Sequence, residues 1–225
     1  ATAAGEAKAI TAKTVTISDA TTLARLATIE TRVGNSGSVS YTAVDDSRQN
    51  LNTQISGNDA GSKLVNKTVT VSDSISLTHG EALESAVAGI SGQQSGTLAY
   101  NKVTDSSTNL SASNTAAGQA RAITGKTIIV NTDTAVTLDQ LNTIRTNVDA
   151  ANQGSGGVTH STVTDTYANL TSTTAAKAGT SSEHIKRKTV IATTASTLVN
   201  IAALKTVVLD GQNNVSFTHN AIHDT

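Results

Sequence analysis

The chain has 225 residues and a formal net charge of −1, with no Cys, Met, Pro or Trp and only three Tyr and one Phe as aromatic residues. These absences exclude a disulfide scaffold, a thiolate metal site, a cysteine nucleophile and an aromatic-caged ligand pocket. Thr and Ser are abundant, and small hydroxylated side chains suit strands, turns and helix caps. Because large apolar side chains are scarce, we expect a narrow, elongated core.

The first predicted elements are a strand, a helix and a second strand. Alternating β-branched residues predict the first strand at Val15–Ile17. Thr22 then opens a helix whose apolar residues Leu26, Ile29 and Val33 share one stripe because they are spaced three and four positions apart. A Gly-rich loop follows and leads into a strand that contains Tyr41. The unit is therefore strand, cap, helix and loop.

The same helix is predicted three more times along the chain. Thr137 and Gln140, like Thr78 and Glu81, have the spacing of a capping box, in which each side chain bonds the other's backbone N–H. The predicted apolar stripes are Leu83, Ala86, Val87 and Ile90, then Leu141, Ile144 and Val148, then Ile201, Leu204 and Val208.

A short marker, Asp-Ser/Thr-x-x-Asn-Leu, shows that the chain is a tandem repeat. It begins at Asp46, Asp105 and Asp165 and starts again at Asp224, so its steps are nearly equal. Self-similarity at a fixed period is typical of repeat architectures. The Asn and Leu that close this marker are its structural positions: Asn50 and Leu51, Asn109 and Leu110, and Asn169 and Leu170.

A second marker, Lys-Thr followed by a β-branched residue, divides the chain at positions 13, 67, 126 and 188. We predict an α/β fold: an elongated, solenoid-like array of strand–helix units, with about 60 residues per double unit, the strands side by side in one sheet and helices on one face. A string of β-rich sandwich domains is the alternative. The predicted segments are 1–12, the end of a preceding repeat; 13–66, 67–125 and 126–187, three repeats; and 188–225, an incomplete fourth.

The recurring aspartates have two interpretations. A carboxylate at the end of a strand accepts hydrogen bonds from the free N–H groups that open the next helix, and this capping role is the favoured one. A ladder of carboxylates with loop carbonyls also supplies the oxygens that calcium prefers, so Asp46, Asp105, Asp165 and Asp224 are weak calcium candidates. The recurring Asn side chains are expected to bond turn backbone.

Two further motifs suggest a binding site, but the residues around them argue against it. Gly125-Lys126-Thr127 resembles the end of a phosphate-binding loop, but Ala120 stands where that loop needs its first Gly, so a strand-entry position is expected. His219 and His223 could meet on a helix, yet His219 falls on a predicted strand, where residues four apart lie about 13 Å from each other. With no catalytic candidate and no other cofactor predicted, we expect no enzyme activity.

The motifs Val-Thr-Asp-Ser/Thr-x-x-Asn-Leu and Val-Thr-Val-Ser-Asp resemble the degenerate tandem repeats of very large secreted bacterial surface proteins, of the adhesin-like or S-layer-like kind found in cyanobacteria. The resemblance implies an extracellular or cell-surface location and a structural role in a filament, surface layer or matrix. From the residues themselves we expect its partners to be copies of the chain, head-to-tail or within a longer repeat chain, or cell-surface glycans, with no nucleic acid and no membrane span.

The first and last residues of the chain fall at nearby positions within the repeat pattern. Residues 2–11 repeat residues 115–124, and the chain stops about seven residues before the phase at which it starts. We therefore expect either a window of a longer array or a protomer completed head-to-tail by its own copies. A calcium- or glycan-binding adhesin module, with Tyr41, Tyr100 and His160 on one exposed face, and a phage or virion fibre segment are the alternatives.

Overall fold

The computed structural model describes residues 10–57, 63–88, 96–112, 123–131, 135–149, 157–171, 184–209 and 216–222. It divides into two compact units, Ala1–Lys102 and Val103–Thr225. Within the described ranges the chain forms short strands, which pair in parallel, and seven helices. The prediction of a mixed α/β fold is confirmed.

The first unit alternates short strands with helices. Its two sheets are β1–β2 and β3–β4–β5, and all their strands are parallel. The elements are β1 (Thr14–Ile17), α1 (Leu23–Val33), β2 (Ser38–Tyr41), β3 (Ala43–Asp46), α2 (Arg48–Ser56), β4 (Thr68–Val71), α3 (Leu77–Ala88) and β5 (Thr97–Ala99).

The second unit is built from the same types of strand and helix and forms two three-stranded sheets. Its sheets are β6–β7–β8 and β9–β10–β11, and β6 begins at the last residue of the first unit. The elements are β6 (Lys102–Asp105), α4 (Ser107–Ala112), β7 (Thr127–Val130), α5 (Leu138–Asp149), β8 (Val158–Thr159), β9 (Thr162–Asp165), α6 (Tyr167–Leu170), β10 (Thr189–Ala192), α7 (Leu198–Leu209) and β11 (Phe217–His219).

The strand pairing differs from the prediction of one side-by-side sheet, which is wrong for the described residues. The strands belong to four separate sheets, because the chain leaves one sheet and enters the next within one or two residues, as at Thr42 between β2 and β3. The sandwich alternative is also wrong, since sandwich sheets are antiparallel and these are parallel with helical crossovers. Each three-stranded sheet takes its first strand from one predicted repeat and the other two from the next.

Rows of apolar side chains across the sheets form the core. In the first unit Val44 lies opposite Val69 and Val69 opposite Leu98, and both valines are fully buried. In the second unit Val163 and Val190 form the same row with Phe217. The predicted stripes cover these rows: the buried members are Leu26, Val33, Leu83, Val87, Leu141, Ile144, Val148, Ile201, Leu204 and Val208. Ile29 and Ala86 are half-buried, and Ile90 lies outside the described residues.

Of the three helix starts predicted from the sequence, those at Thr22 and Thr137 are confirmed. The Thr137 hydroxyl accepts from the Gln140 N–H at 3.1 Å, and the Gln140 side chain accepts from the Thr137 N–H at 3.0 Å, which is a complete capping box. The Thr78–Glu81 box is wrong. Helix α3 begins at Leu77, and the Ser76 hydroxyl accepts from the His79 N–H at 3.4 Å, so the cap lies two residues earlier than predicted.

A left-handed residue precedes each Lys-Thr marker. Ala12, Asn66, Gly125 and Arg187 all have φ between 58° and 68°. Their N–H groups donate to the carbonyls of Val33, Val87, Val148 and Val208, at distances of 2.8 to 3.2 Å, and so close the carboxyl ends of the long helices. Gly125 therefore meets a backbone requirement that recurs in every repeat.

None of the helices in the described ranges combines the length and the apolar character that crossing a membrane requires.

Candidate functional site

The recurring Asp-Ser/Thr-x-x-Asn-Leu marker folds into the same cluster three times, and we call this cluster the aspartate joint. It consists of the Asp that ends the first strand of a sheet, the Ser or Thr that follows, and the Asn four positions after the Asp. The joints are Asp46, Ser47 and Asn50; Asp105, Ser106 and Asn109; and Asp165, Thr166 and Asn169. The three aspartates are 6%, 7% and 8% exposed, so the carboxylates are buried and need hydrogen-bond donors.

One carboxylate oxygen organises the helix that follows the joint. Asp46 Oδ1 accepts from the Ser47 N–H at 2.8 Å and from Asn50 Nδ2 at 2.7 Å. The Ser47 hydroxyl in turn accepts from the Asn50 N–H at 3.3 Å and is the N-cap of α2. The other two joints repeat these bonds at nearly the same distances. The Ser or Thr is thus the cap, and the aspartate holds the cap and the Asn in place.

The Asn side chains were expected to bond turn backbone, and this expectation needs a correction. In each joint the Asn Nδ2 donates to the Asp carboxylate, at 2.6 to 2.8 Å. A buried anion is a stronger acceptor than a neutral carbonyl, which explains the choice of partner. The marker Leu that follows each Asn is buried as a core residue: Leu51, Leu110 and Leu170 are at most 2% exposed.

The second carboxylate oxygen caps a different helix, far away in sequence. Asp46 Oδ2 accepts from the Leu23 N–H of α1 at 2.8 Å, and Asp165 Oδ2 accepts from the Leu138 N–H of α5 at 3.0 Å. The paired residues are 23 and 27 positions apart. An anion at a helix N-terminus also interacts favourably with the helix dipole. One aspartate therefore ties two helices and a strand together.

The hydrogen bonds that the aspartates accept argue against the calcium interpretation. Both oxygens of Asp46 and Asp165 face N–H donors, whereas a cation needs oxygen lone pairs directed at it. In the described residues no three His, Asp or Glu side chains come together as a metal site would require. Asp224 and His223 lie outside the described residues. Capping accounts for the geometry of the joints without a metal.

The aromatic positions do not form an exposed face. Tyr100 and His160 are only 5% and 7% exposed. Tyr41 is half-buried, and its hydroxyl donates to the Lys63 carbonyl at 2.9 Å. Burial, reinforced by the negative charge of Glu30, raises the pKa of Tyr41 to about 12. These side chains pack inside the repeats, and His219 lies on strand β11 as predicted.

His160 forms a buried pair with His184, and the sequence analysis did not predict this pairing. His160 Nε2 lies 2.8 Å from the His184 carbonyl, the two rings meet edge to face with centroids 5.7 Å apart, and His184 Nε2 lies 3.2 Å from Arg145 Nη1. His160 Nδ1 is buried and has no hydrogen-bond partner in the described part of the chain. A proton there would create a buried, unpaired charge.

The surroundings lower the pKa of both rings. Burial is the main cause for each, and the positive charge of Lys188 adds to it. For His184 the Arg145 guanidinium and the neighbouring His160 also act, and together they bring the pKa of His184 to about 4. The pair is therefore neutral at pH 7.

The same place in the first unit carries different chemistry. Tyr41 occupies the repeat position of His160, and Lys63 occupies that of His184. Lys63 Nζ forms an ion pair with Glu30 Oε2 at 2.6 Å, and Glu30 stands at the position of Arg145. Lys67, at the position of Lys188, lies over the Tyr41 ring, 4.7 Å from its centroid. Comparison of the repeats at these four positions is the signal that could have found the site.

A cavity of about 520 Å³ lies beside α2 in the first unit. It is lined by polar residues of α2, including Arg48 and Asn52, and by His79 of α3. His79 Nδ1 contacts the Ser76 hydroxyl at 2.7 Å as part of the start of α3. No carboxylate lines the cavity among the described residues, so it offers no acid–base pair.

No protein-family model, curated protein or solved structure matched the chain. The aspartate joint is therefore interpreted from its own geometry.

Proposed function

We propose that this chain is a structural repeat segment of an extracellular surface, matrix or filament protein, in which the units follow one another as an elongated array. The observation that carries the proposal is the aspartate joint. Its Asn and Asp side chains bond to each other in all three joints, and Asp46 and Asp165 also accept from the first N–H of a distant helix. Because the recurring residues hold strands and helices together, they favour a structural role for the chain.

The division of the strands supports a modular array. Each three-stranded sheet is one strand–helix–strand–helix–strand module, and the modules start at Ala43, Lys102 and Thr162. Neighbouring modules are joined by two residues, 100–101 and 160–161, so the same connection recurs at a fixed step. In such proteins each unit buries its apolar face against its neighbours.

The alternatives receive less support. A glycan-binding module needs Tyr41, Tyr100 and His160 exposed together, but the last two are buried. A calcium module needs carboxylate oxygens that the joints use for N–H donors. A phage or virion fibre would use the same modules, so this alternative shares the proposed mechanics and differs only in source.

Deletion of one whole period tests the modular array. Removing residues 102–161 takes out one module with its linker and joins Asn101 directly to Thr162, which follows a position equivalent to Asn101. We expect this variant to fold, with the same circular dichroism per residue and cooperative thermal unfolding, because each remaining module meets an equivalent module in place of the deleted one.

The matched control removes half a period, residues 102–131, and joins Asn101 to a segment of the wrong phase. We expect this control to lose cooperative unfolding, although it deletes only half as many residues. Equal damage from both deletions would contradict the modular array.

A further inference from the structure

The cavity beside α2 lies within a single module. Its walls are residues of α2 between Arg48 and Ser56, together with His79 of α3. Every one of these residues belongs to the module that starts at Ala43. The volume of about 520 Å³ falls within the range of roughly 300–1,000 Å³ that sites for small molecules occupy. The cavity is therefore large enough for a small ligand.

Arg48 brings a positive charge to the cavity. Its backbone N–H donates to Asp73 Oδ1 at 2.7 Å, but its guanidinium forms no ion pair within the described residues. No carboxylate lines the cavity among those residues. A guanidinium presents a planar fork of N–H donors, which matches a carboxylate through two parallel hydrogen bonds. The charge thus favours an anionic ligand.

His79 supplies a second hydrogen-bond donor, from α3. The Ser76 hydroxyl accepts from the His79 N–H at 3.4 Å and lies 2.7 Å from His79 Nδ1. We assign the ring proton to Nε2, because the Ser76 hydroxyl can then donate to Nδ1. The imidazole is held in place by the start of its own helix and presents Nε2–H as a donor.

The other polar groups of the cavity suit hydroxyl groups on a ligand. The amides of Gln49 and Asn52 and the hydroxyl of Ser56 line it. Asn52 Oδ1 has no hydrogen-bond partner in the described part of the chain, so this amide is not committed to the fold as the Asn of the joint is. Amides and hydroxyls both donate and accept, as the hydroxyls of a sugar do. No Tyr or Phe ring lines the cavity among the described residues, so a flat apolar ligand finds no stacking partner.

The other modules show that the repeat does not require these side chains. Arg48 occupies the position of Ser107 in α4 and of Tyr167 in α6, and His79 occupies that of Gln140 in α5. The Ser107 hydroxyl donates to a backbone carbonyl, and Gln140 completes a capping box. The combination of Arg48 with His79 is thus a property of one module, whereas the aspartate joint beside it is common to all three.

We propose that this cavity binds a sugar acid, a small molecule that combines one carboxylate with several hydroxyl groups. The Arg48 guanidinium takes the carboxylate, the His79 Nε2–H donates to a ligand oxygen, and the amides of Gln49 and Asn52 bond the hydroxyls. A phosphate would instead favour free N–H groups at a helix start, but the first N–H of α2 is already taken by Asp73. The site adds ligand binding to the proposed structural role and does not depend on it.

NMR titration of the full ¹⁵N-labelled chain tests the site. The probe is glucuronate, and the control is glucose, which has a neutral CH₂OH group in place of the carboxylate. We expect glucuronate to shift the amide signals of residues 48–56 and of His79, with a Kd on the order of 1 mM. Glucose should bind about 10-fold more weakly, because it lacks the charge-assisted pair with Arg48.

Two arginine variants locate the binding. Arg48→Gln should weaken glucuronate binding about 10-fold, whereas Arg25→Gln, which removes an exposed arginine of α1 outside the cavity, should bind like the parent chain. The Arg48 side chain makes no hydrogen bond in the described residues, so both variants should unfold at the temperature of the parent chain. An unchanged unfolding temperature separates lost binding from lost structure.

The same titration decides against the proposal in four cases. These are no shift at residues 48–56, equal affinity of the parent chain and Arg48→Gln, equal affinity for glucuronate and glucose, and tighter binding of inorganic phosphate than of glucuronate. Trigalacturonate distinguishes the source of the sugar acid. Binding at least as tight as that of glucuronate supports a polysaccharide, and weaker binding supports the free sugar acid.

Discussion

Replacing Asp46 by Ala is expected to lower the free energy of unfolding by about 3 kcal/mol, because it removes three hydrogen bonds to a buried carboxylate. The Leu23 N–H, the Ser47 N–H and Asn50 Nδ2 all lose their acceptor. Two helices lose an anchor at the same time, so the effect exceeds that of an ordinary cap deletion. Urea denaturation followed by circular dichroism measures the change.

The chain supplies a matched control in the adjacent residue. Asp45 lies on the same strand but on its opposite, exposed face. Asp45→Ala should change the unfolding free energy by no more than about 0.5 kcal/mol, since exposed side chains away from such networks contribute little. Running both variants with calcium and with chelator separates the two interpretations of the joint. If calcium stabilises the parent chain and Asp46→Ala abolishes this effect, the capping role is contradicted.

Acid is expected to destabilise the second unit through its histidine pair. The pKa of His184 is lowered from 6.5 to about 4 in the folded state, so the unfolded state binds the proton more tightly. Stability is therefore fully present above pH 6.5 and falls as the pH drops from 6.5 towards 4. After allowance for solvent screening, the loss is on the order of 2 kcal/mol.

The first unit provides the matched variant. Replacing Arg145 by Glu, His160 by Tyr and His184 by Lys installs in the second unit the side chains that Glu30, Tyr41 and Lys63 provide in the first. Lys188 already matches Lys67. The expected result is a smaller loss of stability between pH 6.5 and 4 than in the parent chain, measured by urea denaturation at each pH. Identical pH profiles for the two proteins would show that the pair is not the sensor.

Local patterns made the long helices and the strands predictable. The spacing of Leu141, Ile144 and Val148 gave the buried stripe of α5 correctly, because a helix face follows from the helical period. Alternating β-branched residues located β1 for a similar reason. Helix starts were predictable only where the cap stood in its usual spacing, so α3, which begins after Ser76, was placed two residues late.

Pairings between distant residues were not predictable in the same way. The bond from the Leu23 N–H to Asp46 spans 23 residues, and nothing near either residue specifies it. The same is true of the change from one sheet to the next at Thr42, which depends on which strands find each other. The histidine pair lies 24 residues apart. Its one sequence signal is that Arg145 and His184 together stand where the first unit has a Glu–Lys pair.

The most direct test of an elongated modular array is the radius of gyration of the chain, measured by small-angle X-ray scattering and extrapolated to zero protein concentration. A compact globular chain of this length has a radius of gyration of about 17 Å. We predict a clearly larger value, with the scattering profile of a rod, and a decrease when residues 102–161 are deleted. A full-length chain that scatters with the radius of a compact globule would contradict the array.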